Sequence, residues 1–261
     1  MRASFQGKIA VVTGGASGIG EACCAVLKER GARVVVTDVD AGKAKAVAAA
    51  LGAEMRLLDV GDETAIERAA AEIESAIGPV DILVNSAGVL QRPEAAADLS
   101  VADWDRVVRI DQRGVYFCCL AFGERMAQRG TGSIINIASV AGMRSMPLHA
   151  YAPAKAAVIS MTECLAAEWG RCGVRVNAVS PGFTLTPAIK AAIAAGQRDS
   201  SLLEQNAAMG RMVQPSEIAD GVAFLASSEA SAITGVTLPI DCGWLVAPSW
   251  STYGGLRPGR N

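Results

Sequence analysis

The chain has 261 residues, 51% of them hydrophobic, and a net charge of −2, enough for one large domain with a full core, which excludes a disordered chain or a stapled mini-protein. Its 24 Lys and Arg against 26 Asp and Glu leave no basic excess for a phosphate backbone, so nucleic acid is not expected as a partner. A single histidine, His149, and seven cysteines without a Cys-x-x-Cys spacing give no zinc ligand set, so no metal is expected and the cysteines are read as reduced.

Short runs rich in Val and Ile recur at 9–13, 33–37, 55–58, 82–85, 133–138, 174–179 and 236–240. Most are continuously apolar, which suits strands buried on both faces of a parallel sheet. Between them lie stretches with helical spacing, among them 21–30, 41–51, 62–77, 101–128 and 150–171, and Pro215 opens a further helix to about 227. Strand and helix alternating this regularly predict βαβ units with right-handed crossovers. The expected fold is a single doubly wound α/β domain of the Rossmann type, with helices on both faces of seven mainly parallel strands and ligands at the strands' carboxyl ends. The segments 183–212, taken as a substrate loop, and 244–261, taken as a tail, resist assignment. No apolar stretch spans a membrane and the start, MRASFQGK, lacks the hydrophobic region of a secretory signal, so a soluble cytoplasmic protein is expected.

The first strand runs straight into Thr13-Gly14-Gly15-Ala16-Ser17-Gly18-Ile19-Gly20 and then a helix. Glycines there permit a tight turn and let backbone amides approach a pyrophosphate at the helix amino-terminus. About twenty residues on, at the end of the second strand, Asp38 can accept hydrogen bonds from the adenosine ribose and repel the extra phosphate of NADP. Neither the glycine loop nor Val39 offers a cation for that phosphate, so NAD is the expected coenzyme.

Tyr151 and Lys155 stand four apart at the start of a helix, so both project from one face. A tyrosine titrating near 10 is a poor base at neutrality, and lowering it far enough takes roughly 3 to 4 kcal/mol. Lys155 and the positive ring of bound NAD are the available cations. Ser139 closes a strand twelve residues before Tyr151 and can reach the same place. Pro153 requires that the helix start near Ala150.

In order, the glycine loop, Asp38, Asp59-Val60, Asn85-Ser86-Ala87-Gly88, Ser139, Tyr151-Ala152-Pro153-Ala154-Lys155, Ser180-Pro181-Gly182 with Thr186, and Asp241-Cys242-Gly243 resemble the motif series of the classical short-chain dehydrogenase/reductases. The resemblance covers essentially the whole chain and implies strand order 3-2-1-4-5-6-7. It implies that Tyr151 takes the substrate hydroxyl proton, that Ser139 hydrogen-bonds the reacting oxygen and that Lys155 also holds the nicotinamide ribose. Gly14, Ser17, Gly18, Ile19 and Gly20 would hold the pyrophosphate, and Asp59 and Val60 would meet the adenine. Asn85 to Gly88, with Asn85, Ala87 and Gly88 at the coenzyme, would flank the adenosine ribose and support the sheet, and Pro181, Gly182, Phe183 and Thr186 would hold the nicotinamide.

The sequence departs from that pattern at Ser86 and Ala138, and above all at Asp111, where the family usually carries Asn as a fourth catalytic residue. The resemblance assigns the relay water at that position to the main-chain carbonyl, which Asp supplies as well as Asn. A buried carboxylate so close to Lys155 either pairs with it or takes up a proton.

Other residues leave two readings open. Gln91 and Arg92 line a polar pocket or cap a loop, and His149 touches substrate or bonds locally. Arg106, Arg109 and Arg113 form a solvated or subunit-contact face. Trp244, Trp250 and Tyr253 in the tail cover the active site, a neighbouring subunit or their own. The leading function is NAD-dependent, metal-independent interconversion of a secondary alcohol and a ketone. Gln91, Arg92, Arg144, Ser145 and His149 lean toward a polyol or sugar derivative. The alternatives are an NADP-dependent 3-oxoacyl-type reductase and a non-catalytic dinucleotide sensor or scaffold. A homotetramer is implied by resemblance, built on the helices 101–128 and 150–171 and on the Pro215 helix with the last strand.

Overall fold

The structure, a computed structural model, describes residues 3–257; the end of the tail, 258–261, lies outside the described residues. From the amino-terminus come β1 (Ile9–Thr13), α1 (Gly18–Glu29), β2 (Arg33–Asp38), α2 (Ala41–Leu51), β3 (Glu54–Leu57), α3 (Glu63–Ala76) and β4 (Ile82–Asn85). Next is one helical run made of α4 (Val101–Val107), a π-helical turn (Val108–Gly114) and α5 (Val115–Arg129), followed by β5 (Gly132–Ile137). Then follow α6 (Tyr151–Trp169), β6 (Val174–Pro181), α7 (Pro187–Ala194), α8 (Ser200–Gln205), α9 (Pro215–Ala226) and β7 (Thr237–Ile240).

All seven strands pair in parallel in the order β3-β2-β1-β4-β5-β6-β7. Each strand sends alternate residues to opposite faces, and both faces are covered. Val11, Leu83 and Ile134 pack with Ile73 of α3, Phe122 of α5 and Val158 of α6. Ala10, Val12, Val84 and Ile135 pack with Leu27 of α1, Ala48 of α2 and Val222 of α9 on the other face. Burial on both sides is why the strands read as unbroken apolar runs.

The expected helix 101–128 is interrupted at its middle. The π turn inserts a wider coil, and within it Asp111 and Gly114 are buried. A Cβ on Gly114 would stand 2.6 Å from the Val60 carbonyl, so glycine lets this turn close against the loop after β3. The segment 183–212 contains α7 and α8, each opened by a side-chain cap: Thr186 accepts from Ile189 N at 3.3 Å and Asp199 from Ser201 N at 2.9 Å. The tail forms a 3-10 turn, Pro248–Tyr253. Among the described residues no helix is long and apolar enough to cross a membrane.

Candidate active site

The carboxyl ends of β1, β2, β4, β5 and β6 open onto two adjoining cavities. The larger, about 370 Å³, runs from Gly14, Ser17, Gly18, Ile19 and Gly20 past Asp38, Asp59 and Val60 to Ala87, Gly88, Asp111, Tyr151 and Lys155. The smaller, about 150 Å³, holds Ser139, Pro181, Gly182 and Phe183. Tyr151 and Thr186 line both, so the phenol stands where the two spaces meet.

The glycine loop is shaped by close approach. Gly14 and Gly18 adopt positive φ, 63° and 57°, which side-chain-bearing residues avoid. A Cβ on Gly20 would lie 2.1 Å from the Gly14 carbonyl oxygen, and one on Gly14 would lie 2.6 Å from the Ala87 Cα. α1 therefore starts hard against the loop, and Ser17, at its N-cap, makes no side-chain cap. The first-turn amides are left facing the large cavity, as an anion requires. Thr13 supports this from below, its hydroxyl accepting from the amides of Ser86 and Ala87 at 3.1 and 3.2 Å.

Asp38 lines the same cavity, its carboxylate held by the amides of Ala16 at 3.1 Å and Asp40 at 2.9 Å. Lys155 is the one cationic residue among those lining this cavity. A dinucleotide fits these residues: close-approach glycines for the pyrophosphate, a fixed carboxylate for a ribose, and Asp59 and Val60 at the far end.

Asn85 fills the sheet-supporting part of its expected role and does not line the cavity. Its side chain is buried in the core, where Nδ2 donates to Asn136 Oδ1 at 2.9 Å. Asn136 in turn donates to Thr162 at 3.0 Å, so a polar thread ties β4 and β5 to α6. Asn85 supports the frame, and Ser86 takes the place beside it in the cavity lining.

Tyr151 and Lys155 begin α6, with Pro153 in the first turn where its missing N–H costs nothing. Ala150 has no side chain able to cap, and Gln91 supplies the cap from the loop after β4. Its Oε1 accepts from the amides of Ala150 at 2.8 Å and Tyr151 at 3.2 Å. Ser139 begins a short 3-10 turn and accepts from Ala141 N at 3.1 Å. A Cβ on Gly142 would meet the Lys155 carbonyl carbon at 2.7 Å, so glycine lets this turn lie directly on α6, bringing Ser139 to Tyr151.

Lys155 Nζ donates to the Ile137 carbonyl at 3.0 Å and stands 3.2 Å from Asp111 Oδ2, while Asp111 Oδ1 accepts from Val89 N at 2.8 Å. Both side chains are buried, so the carboxylate takes the pairing option open to it. Burial raises Asp111 above the usual carboxylate range, against the pull of Lys155. Burial draws Lys155 down, but Asp111 and Tyr151 together outweigh it and the ammonium is held above its ordinary value. Burial pushes the Tyr151 phenol up, Lys155 pulls it down, Asp111 pushes it up again, and the net direction is upward. Lys155 alone therefore does not make Tyr151 a base at neutrality, since burial and, after it, the Asp111 carboxylate act against it.

Of the readings left open, some are met and some are not. Arg144, Ser145 and His149 line a separate cavity of about 380 Å³ behind the Ser139 turn, and Arg92 one of about 470 Å³; of the polar group only Gln91 lines the substrate-sized space. Arg106, Arg109 and Arg113 pair with Asp103, Asp59 and Glu63. Trp244 packs edge-on to Phe183 at 5.7 Å, so the tail begins against its own chain, while Trp250 and Tyr253 are exposed. Arg198, which sequence reading missed, lines the smaller cavity from the segment between α7 and α8; no periodic pattern singles it out.

The family model described as enoyl-(acyl carrier protein) reductase, adh_short_C2, matches residues 14–245. The chain belongs to the short-chain dehydrogenase/reductase family. It is 40% identical to D-threitol dehydrogenase of Mycolicibacterium smegmatis (strain ATCC 700084 / mc(2)155), over 93% of this chain and 94% of that one. It is also 40% identical to NAD-dependent glycerol dehydrogenase of Listeria innocua serovar 6a, over 92% and 94%. A crystal structure described as ribose-5-phosphate isomerase from Brucella melitensis 16M superposes with a TM-score of 0.97 at 55% identity, covering 98% of this chain and 99% of that one. ElxO with NADP bound superposes at 0.86 with 28% identity, over 91% and 98%, so members of this fold differ in coenzyme.

Proposed function

We propose that this short-chain dehydrogenase/reductase interconverts a secondary alcohol of a polyol or sugar derivative and the matching ketone, with NAD as coenzyme. The meeting of Ser139, Tyr151 and Lys155 where the two cavities join carries this reading, and the polyols named for two relatives point to the substrate class. The choice of NAD rests on Asp38, fixed by two amides, and on the lack of a second cation beside Lys155 in that lining.

When bound, NAD supplies the hydride acceptor and a positive ring near the phenol. Ser139 donates to the substrate oxygen and orients the carbinol. Tyr151, as phenolate, accepts the hydroxyl proton as the carbonyl forms. Lys155 stabilises that phenolate and, with one proton on the Ile137 carbonyl and one toward Asp111, would have its third for the coenzyme ribose. Asp111 sets the charge on Lys155, and its main-chain carbonyl is the seat for a relay water. The isomerase description belongs to the Brucella protein; shifting hydrogen within one sugar would leave the cleft from Gly14 to Asp38 without a task.

Tyr151→Phe removes the proton acceptor and keeps the ring. NADH formation followed by absorbance with threitol or glycerol should fall by at least about a hundredfold, the low end of a general-base contribution, with NAD affinity nearly unchanged. Activity within a few-fold of the parent would place the base elsewhere.

A further inference from the structure

The smaller cavity is lined by two donor groups that the fold itself leaves unused. Of its polar side chains, Thr184 and Thr186 are committed to their own loop: Thr184 donates to the Gly182 carbonyl at 2.9 Å and Thr186 accepts from Ile189 N. Ser139 and Tyr151 serve the reacting oxygen. Two groups remain. Gln91 is 5% exposed, and because its Oε1 must face the two amides at the start of α6, its amide orientation is fixed; Nε2 is then left buried without a partner. Arg198, half-buried in the same lining, makes no hydrogen bond or ion pair among the described residues. No ion pair joins it to the neighbouring Asp199, whose Oδ1 takes both the amide and the hydroxyl of Ser201 at 2.9 and 2.7 Å. No Asp or Glu lines this cavity.

A guanidinium with all its donors open, in a cavity lined by no carboxylate, matches an anionic oxygen group bidentately. We infer that Arg198, with Gln91 in the same cavity lining, selects a substrate bearing an anionic group, a carboxylate or a phosphate ester, on the part of the molecule away from the reacting carbon. The inference rests on the polyol reading and narrows it: the preferred substrate is a sugar acid or a polyol phosphate.

The test is calorimetric titration of NAD-loaded Tyr151→Phe protein, in which turnover is suppressed, with D-threitol, D-threonate and D-threitol 4-phosphate. At least one of the two anions should bind ten times or more tighter than threitol, and which one does so separates carboxylate from phosphate recognition. Adding Arg198→Gln, which breaks no hydrogen bond or ion pair among the described residues, should bring that anion to within threefold of threitol bound to the same variant. Threitol binding as tightly as both anions, an advantage that survives Arg198→Gln, or binding of none of the three would overturn the inference. Turnover is read separately, as NADH formed by the parent protein: NADH from threitol with no anion preference would sink the anionic selectivity and leave the polyol reading standing. Tight Arg198-dependent binding without NADH formation would do the reverse.

Discussion

Asp111 stands where the family resemblance implies an Asn, and its charge sets the direction of a pH effect. The carboxylate 3.2 Å from Lys155 counteracts the lysine's pull on Tyr151 and holds the phenol higher. Asp111→Asn removes that negative charge, so Tyr151 ionises at lower pH and the rising limb of kcat/KM for alcohol oxidation moves to lower pH. Because the main-chain carbonyl is retained, turnover at the plateau should change by less than about tenfold, or 1.4 kcal/mol. A pH–rate profile of the two proteins reads both. Loss of turnover with NAD still bound would place the carboxylate itself in the proton path. Residues of this kind were legible to different degrees. Asp38, Tyr151 and Lys155 are announced by a short local spacing that any strand-to-helix turn or helix face repeats. The partnership of Asp111 with Lys155 depends on a π turn, which leaves no periodicity of its own in seven residues.

The helix α6 illustrates what one segment of sequence cannot announce. Its length and its start near Pro153 follow from helical spacing, but the group that satisfies its first amides, Gln91, lies 59 residues from Ala150, and only the fold brings it there. Gln91→Leu leaves those two N–H groups without an acceptor, each costing about 1–3 kcal/mol when buried. At roughly 2–4 °C per kcal/mol for a domain of this size, thermal unfolding should drop by several degrees. Because the freed amide belongs to Tyr151, kcat should fall while NAD affinity stays within about twofold. Gln91→Glu restores the acceptor and most of the stability. It also lays a second carboxylate beside Tyr151, Lys155 and Asp111, moving the rising limb to higher pH. A kcat for Gln91→Leu equal to the parent's would show that the cap does not position the phenol. The substrate loop was harder still: α7 and α8 are short, and their caps, Thr186 and Asp199, become recognisable only once the loop's path over the smaller cavity is known.

Taken together, two cores on either side of one parallel sheet fix where every strand ends, and so where the dinucleotide cleft opens. That much was readable because βαβ repetition and continuous apolar strands admit few arrangements. A groove of about 600 Å³ between α5 and α6, lined by Tyr116, Leu120, Met161 and Trp169, lies on the helices expected to join subunits. Light scattering should give a mass about four times that of the 26.8 kDa chain; a monomer would contradict the tetramer. Coenzyme choice draws on the glycine loop, β2 and the lining of the large cavity at once. The most direct measurement is therefore the initial rate of reduction of NAD and of NADP, side by side, on one panel of polyols, sugar acids and polyol phosphates. NAD should be reduced at least about tenfold more efficiently than NADP, matching one charge-assisted hydrogen bond from Asp38; equal use of both, or no reduction with any of these alcohols, would contradict the proposed function.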